Sequence, residues 1–412
     1  MKWWFRQQLY MQIFICLLIG IALGLLLGRD KVAYIKPVGD IFINLLMMLI
    51  VPLTFFTLIS GVTKLEDLRS LRSLGGIIVL YYALSSFVAA GLGLAVALVF
   101  RPGKEAIGLL GKAAEPKQFN FLDAVVSWFP RNPIGALADG KMLQIIVFSL
   151  IVGVGLLAME KRAKLLTGLI NESADLMITI TGFVMKVAPY GILALVANMV
   201  ANLGTSMMKE VARFIFAHSV ALFLLLAVLY PLLIRFLAKK NPVRFYKNVA
   251  PAMLVAGSTT SSGATLPVSM TVAEKNLGLS EKVWGFTLPL GATVNMNGMA
   301  ASIGVIGVFA CNLHDVPLTP ALMFQFMFLG MILSIGTAGV KGAGIMMSSI
   351  FLSTLGMPLA LVPVLAAIWP ILDIGNTVCN VTGDLVGSTI VGVHMRLLDD
   401  ETFDGTGNRA GT

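Results

Sequence analysis

Residues 9–28, 41–62 and 75–100 each run through the chain without one charged side chain. A helix rises about 1.5 Å per residue, so each run is long enough to cross the roughly 30 Å hydrocarbon core of a bilayer. With no water there to satisfy backbone groups, a spanning segment of this composition is limited to a helix that satisfies its own. Composition extends the conclusion to the whole chain. Of 412 residues, 57% are hydrophobic and 12% charged, and the mean hydropathy is +0.89, well outside the range of soluble globular domains. Few long polar stretches interrupt the apolar ones, so a single membrane domain is expected, with no room for a soluble catalytic module.

The net charge of +9 does not point to nucleic acid. Lys2 and Arg6 precede the first run, Lys64, Arg69 and Arg72 follow the second, and Lys161, Arg162 and Lys164 follow the run 142–159. Arg235, Lys239, Lys240, Arg244 and Lys247 follow the run 211–234. With one more span over roughly 165–200, all four clusters fall on one side, which the positive-inside rule makes cytoplasmic. The N-terminal run lacks a small-residue cleavage site and reads as a retained first helix. Cys16, Cys311 and Cys379 lie far apart in apolar or small-residue surroundings and read as packing residues, neither a disulfide framework nor a metal site. The stretch 101–141, with Pro102, Pro116, Pro130 and Pro133, reads as a loop or broken segment. The tail 397–412 is polar and acidic and is expected to be disordered.

Beyond residue 240 the pattern changes. Apolar segments are interrupted by AGSTTSSGATLPVSM at 256–270, GATVNMNGMA at 291–300, SIGTAGVKGAGIMMSS at 334–349 and DIGNTVCNVTGDLVGST at 373–389. The first and third predict helix, tight tip, helix: re-entrant hairpins whose freed backbone groups need side chains, water or ligand. Small residues also serve close helix packing, but four polar clusters in succession favour a lined cavity. Broken helices in a membrane are a layout of secondary transporters, in which half-helix N-termini hold anions and unwound carbonyls hold cations.

Asp373, Thr377, Asn380 and Asp384 are spaced i, i+4, i+7 and i+11, which sets them within about a 60° arc of one helix face. Intramembrane carboxylates are expensive unless paired or coordinated, so a functional role outweighs a packing role for both. Tyr82, Ser85 and Ser86 form a smaller polar group in an apolar span, and by themselves signal little, since helix hydroxyls bond back to carbonyls. His218, His314 and His394 are scattered and read as interface or loop residues. No phosphate loop, metal-spaced histidine cluster or nucleophile with a partnered base is present, so no enzymatic chemistry is expected.

With these motifs in order, the chain resembles the dicarboxylate/amino acid:cation symporters, the group of glutamate, aspartate and neutral amino acid transporters. The resemblance covers nearly the whole chain and is most specific in STTSSGATLP, NMNG, SIGTAGVKGAG and DIGNTVCNVTGDLVGST. It implies an all-α integral membrane fold of eight transmembrane helices and two re-entrant hairpins, assembled as a homotrimer. Residues 1–240 would be mainly scaffold, with the third and sixth spans joining the transport core, and 241–396 would form that core. The resemblance also implies roles. Asp373 would hold a substrate ammonium, and Asn380 with the tip amides near Ser261 and Ser262 would receive the α-carboxylate. Met296, Met299, Asn376 and Thr377 would line the pocket, and Val340 and Gly342 to Gly344 would close it. One sodium site would use Gly291, Asn295, Asn380 and Asp384; a second would use Thr293, Ser334, Ile335 and Thr337. A third, of Tyr82, Ser85, Ser86, Asn295 and Asn297, would be weakened, because Asn297 stands where relatives have a carboxylate.

Departures from the family pattern bear on cargo. Asn376 stands where acidic amino acid transporters carry Arg, Met299 where they carry Thr, and Trp369 where archaeal members carry a carboxylate. Without an Arg fork, burying a second substrate carboxylate is unfavourable. The expectation is therefore a sodium-coupled symporter for a neutral amino acid, in the plasma membrane (the inner membrane in a bacterium), with both termini cytoplasmic. Acidic amino acid or dicarboxylate cargo, proton coupling and a channel-like anion conductance are the alternatives. Lys341, at the second hairpin's tip where a Pro is usual, reads as a solvated charge.

Overall fold

The computed structural model describes residues 4, 7, 9–63, 75–108, 126–337, 339 and 341–406. Among these, secondary structure is helical apart from one isolated antiparallel bridge between Leu279 and Leu398. The chain runs α1 (Leu9–Val32), α2 (Lys36–Thr63), α3 (Gly76–Phe100), short α4 (Pro133–Ala138) and α5 (Met142–Met159). Then come α6 (Lys164–Asn202) and α7 (Ser206–Phe236), parted at Gly204, whose φ of 69° breaks an otherwise continuous helix. The second half holds α8 (Pro242–Thr259), α9 (Ser262–Lys275), α10 (Glu281–Val294), α11 (Asn297–His314), α12 (Pro320–Ile335), α13 (Ala343–Thr354), α14 (Val362–His394) and α15 (Asp400–Asp404).

Eight described segments are long and apolar enough to cross a membrane: α1, α2, α3, α5, α6, α7, the α10–α11 pair and Leu359–His394. They differ sharply in burial, and this orders the molecule from outside inward. Only 22% of the α1 window is buried, against 94% for Glu281–His314, so the interrupted span is the centre of the packing. Leu26 on α1 is 82% exposed and Leu165 on α6 93% exposed; such side chains favour aggregation in water and are at home in lipid.

Lipid supplies no hydrophobic drive between helices, so contact depends on close approach and polar pairing. The α3–α11 crossing shows the first. A Cβ on Gly304 would overlap the carbonyl oxygen of Ala90, and one on Gly93 the carbonyl oxygen of Ala301; only hydrogen at both positions lets the backbones meet. Near the end of α7, the chain passes through one π turn, Leu225–Leu229, just before Pro231. Proline has no N–H to continue an α-helical ladder, and the π turn absorbs the defect.

Between Val294 and Asn297 the backbone leaves the helical region: Asn295 has φ −108° and ψ 82°, Met296 φ −108° and ψ 65°. The α8–α9 and α12–α13 pairs are each a helix, a short non-helical tip and a second helix, in line with the two tips expected from composition.

The tail departs from expectation. Residues 397–406 are ordered: Asp399 accepts hydrogen bonds from the N–H groups of Glu401 and Thr402 and caps α15, while Phe403 is fully buried. Lys240 pairs with Asp400, and Asn248 donates to the Phe403 carbonyl at 2.9 Å. One aromatic and an N-cap suffice to dock a segment whose average composition suggests disorder. Residues 407–412 lie outside those described. The stretch 101–141 contains a 3-10 turn, Lys104–Ala106, and α4, with 109–125 outside the described residues. The three cysteines are buried and unpaired, as packing residues should be.

Candidate functional site

The tips of the two hairpins meet. Ser261, N-cap of α9, accepts from the Ala264 N–H at 3.2 Å and donates its hydroxyl to the Gly339 carbonyl at 2.8 Å. The Gly263 N–H donates to the same carbonyl at 3.1 Å. Gly339 also presses on the break, since a Cβ there would overlap the Ala292 carbonyl oxygen. A chamber is thereby closed, lined by Thr260, Ser261, Ser262, Met296, Met299, Thr337, Gly339, Ala343, Gly344, Trp369, Asp373, Asn376, Thr377 and Asn380. The expected substrate residues are brought together here except Val340, which lies outside the described residues, and Gly342, which lines the neighbouring cavity. The space is tight: the centre of a water-sized sphere can move through only ≈ 20 Å³ of it.

Each wall has a local cause. Gly342 has φ 78°, a backbone angle that glycine tolerates and most residues do not, and its N–H reaches Asp373 Oδ2 at 3.4 Å. Two turns of α14 bring the polar stripe inward: Asp373 is half-buried, while Asn376, Thr377 and Asn380 are buried. The carboxamide oxygen of Asn380 accepts from the Gly298 N–H at 2.8 Å, which leaves its NH₂ as the end for an anionic ligand. Trp369 is 1% exposed and packs so closely on Gly344 that any Cβ there would strike the indole ring. The Asn376 Nδ2 is buried without a hydrogen-bond partner, where buried donors are usually paired, while the Trp369 indole N–H faces the Asp373 carboxylate.

Deeper in, Asp384 Oδ1 accepts from Asn295 Nδ2 at 2.8 Å. A Cβ on Gly291 would meet Asp384 Oδ1 at 2.5 Å and the Tyr82 hydroxyl at 2.6 Å, so glycine admits both groups to the unwound backbone. This gathers Gly291, Asn295 and Asp384; Asn380 stands one turn before Asp384 on α14. Of the second expected cation group, Thr337 donates its hydroxyl to Leu333 O at 2.6 Å and its N–H contacts Ser334 O at 3.4 Å, with Ile335 between them. Thr293 comes from the break and donates to Leu290 O at 2.9 Å, one residue from where Gly339 abuts Ala292.

The group expected for a third cation is assembled in part. Asn297 Oδ1 accepts from Ser86 at 2.9 Å and Ser85 at 3.2 Å. Tyr82 turns away, donating to Thr287 O at 2.8 Å beside Asp384. Two more residues complete this cluster: Ser334, expected at the second cation site, and Tyr230, which the sequence did not single out. Ser334 donates to Ser86 Oγ at 2.9 Å, and Tyr230 accepts from Asn297 Nδ2 at 3.1 Å while donating to Cys379 O at 2.8 Å. A tyrosine just before a proline in an apolar span carried no distinguishing signal.

Two histidines are corrected. His314, the last residue of α11, is 2% exposed and His218, within α7, 1% exposed, so neither is a loop residue. His218 Nε2 lies 2.8 Å from Ser302 Oγ and 3.1 Å from Asn376 Oδ1. A lone polar side chain in an otherwise apolar span was the available signal. Lys341 is half-buried, not fully solvated, and lines with Asp373 a second, ≈ 290 Å³ cavity outside the tips.

Among the described residues no three His, Cys, Asp or Glu side chains form a metal-binding group. The available cation ligands are carbonyl, amide and hydroxyl oxygens with one carboxylate, a donor set for hard cations and not for thiophilic ones.

A multi-pass helical membrane protein with a polar chamber at an interrupted span has the layout of secondary transporters. The chain belongs to the sodium:dicarboxylate symporter family, whose model matches residues 9–393. It is 29% identical to a proton/sodium-glutamate symport protein of Bacillus caldotenax over 92% of this chain and 93% of that one. It is 30% identical to neutral amino acid transporter A of Homo sapiens (90% and 78% covered). It is 27% identical to C4-dicarboxylate transport protein 2 of Pseudomonas aeruginosa (97% and 93%). These relatives are named for three kinds of cargo, so family membership leaves the choice to the chamber.

Proposed function

We propose that the protein is a sodium-coupled symporter that imports a neutral amino acid. The observation that carries this reading is the charge of the chamber: Asp373 is its one ionisable lining group, suited to an ammonium, and position 376 offers a carboxamide in place of a guanidinium. The α-carboxylate would lie between the Asn380 NH₂ and the N-terminus of α9. A second carboxylate would meet Met299 and Trp369 with no cation inside the tips, an arrangement that costs several kcal/mol for an unpaired buried charge, as an order of magnitude.

Sodium would bind at Gly291, Asn295, Asn380 and Asp384, and a second ion at Thr293, Ser334, Ile335 and Thr337. The second group spans the break and the α12–α13 hairpin, so it is complete only with that hairpin closed. A ligand that prefers the closed state shifts the gate toward closure, which is the thermodynamic content of coupling. The hairpins would be re-entrant, residues 241–396 the moving core of an elevator-like cycle, and residues 1–240 mainly the scaffold of a homotrimer. Both termini would be cytoplasmic, in the plasma membrane or bacterial inner membrane.

Lys341 favours a second reading, an acidic amino acid or dicarboxylate, because it shares a cavity with Asp373 and could neutralise an anion as the gate closes. Uptake of labelled alanine, serine, aspartate and succinate into proteoliposomes, with an inward Na⁺ gradient, an inward H⁺ gradient or neither, separates the readings. The expected result is sodium-driven alanine or serine uptake. Uptake of aspartate or succinate alone overturns the cargo, drive by protons alone overturns the ion, and non-saturating flux without a gradient indicates a channel.

A further inference from the structure

His218 lies outside the chamber lining, yet it contacts a residue of that lining. Its Nε2, Ser302 Oγ and Asn376 Oδ1 are mutually close: 2.8 Å from His218 to Ser302, 3.1 Å from His218 to Asn376, and 3.1 Å from Ser302 to Asn376. Ser302 Oγ is also 2.9 Å from the Gly298 carbonyl. All three side chains are fully or nearly fully buried, with Asn376 2% exposed.

Proton counting orients this triangle. With the amide oxygen at the Asn376 corner, His218 Nε2–H is shared between Ser302 Oγ at 2.8 Å and Asn376 Oδ1 at 3.1 Å, and the serine hydroxyl is shared between Asn376 Oδ1 and Gly298 O. Two shared hydrogens then serve the four contacts, and each acceptor faces a donor. With the amide reversed, its NH₂ would donate to both neighbours, and the 2.8 Å contact between His218 and Ser302 would need the serine proton. Nε2 would then have to accept twice with one lone pair, and the Gly298 carbonyl would lose its donor. The first arrangement wins, and it leaves the Asn376 NH₂ without a partner on the chamber side of the residue.

We infer that His218, with Ser302, is a positioning residue for specificity: it holds the Asn376 carboxamide so that its NH₂ faces the chamber, selecting a small substrate whose side chain ends in a hydrogen-bond acceptor such as a hydroxyl. The inference rests on the neutral amino acid reading. Trp369, in the same lining, fills part of the chamber and packs on Gly344, which favours a small substrate side chain.

The test is the ratio of KM for serine to KM for alanine in proteoliposome uptake, in the wild type and in His218→Leu, His218→Gln and Ser302→Ala, each first shown to melt as a folded protein in detergent. Serine should be preferred by the wild type. His218→Leu should erase the preference by roughly fivefold to tenfold, the worth of one neutral hydrogen bond, through the serine KM with alanine KM and both maximal rates nearly unchanged. His218→Gln, whose amide nitrogen can donate as Nε2 does, should restore most of it, and Ser302→Ala should lose part of it. Equal loss for both substrates, or a ratio that none of the variants moves, overturns the inference. A wild type that carries alanine without preferring serine overturns it alone; one that carries neither overturns the functional reading beneath it as well.

Discussion

The hydroxyl of Ser261 donates to the carbonyl of Gly339 at 2.8 Å, and through this contact the two hairpin tips, 78 residues apart in sequence, seal one chamber between them. The same oxygen takes the Gly263 N–H, so the latch is two donors on one acceptor. Removing one donor weakens the seal without abolishing it.

Ser261→Ala therefore loses one latch bond and the N-cap of α9. A neutral hydrogen bond contributes about 0.5–1.5 kcal/mol and a serine cap about 1 kcal/mol, and the cap also holds the helix end that would meet the substrate carboxylate. Apparent affinity should fall about tenfold, read as substrate-induced thermal stabilisation. An unchanged midpoint would show that the tips are held elsewhere.

Asp384 is 4% exposed and has one amide partner within the chain, a poor arrangement for a carboxylate unless a cation joins it. Asp384→Asn should leave the sodium-free protein as stable as before, or more so, while removing most of the stabilisation that sodium confers. Loss of stability in the absence of sodium, with sodium stabilisation retained, would make the residue a structural acid.

At Asn297 the hydroxyls of Ser85 and Ser86 and the phenol of Tyr230 already converge. Asn297→Asp adds a charge to a ready set of oxygen donors. Transport by this variant should depend more steeply on sodium concentration than transport by the wild type; an identical slope would remove the cluster from ion binding.

Gly304 sits where α3 and α11 touch backbone to backbone. Gly304→Val should destabilise the protein by about 1–3 kcal/mol or more, the cost of overpacking a close-packed interior. The fall in melting temperature should be the same with and without substrate, because the crossing lies outside the chamber. A shift confined to the substrate-bound form would instead couple this crossing to the site.

Asp373→Asn should abolish amino acid stabilisation and leave the substrate-free melting temperature within a few degrees of wild type. The carboxylate is half-buried and meets two neutral donors, the Gly342 N–H at 3.4 Å and the Trp369 indole N–H, which an amide oxygen can also accept from, so little structure depends on its charge. Unaltered affinity would take Asp373 out of the ammonium's place.

Much of this was readable before any coordinate. Length without charge defines a spanning helix, because a bilayer's thickness is constant and its interior leaves the backbone no other partner. The i, i+4, i+7, i+11 spacing on α14 determines one polar face, because a helix has a single pitch. The break at 295–296 was visible as asparagines and glycines inside an apolar run. The ordered tail was not, because one buried aromatic weighs little in a composition and much in a contact.

What the tertiary structure alone decided is which faces meet. Spacing places residues on the surface of their own helix and says nothing of its neighbour, so Ser86 and Asn297 were grouped by family resemblance alone, and the pairings Tyr230–Asn297 and His218–Asn376 had no signature in the chain. They arise because helices approach where their backbones allow it, as at Gly93 and Gly304. Burial of the interrupted span at the centre then obliges each polar group on it to find a partner from another helix. Asn376 reads in sequence as an arginine lost; beside His218 and Ser302 it is an amide held in place.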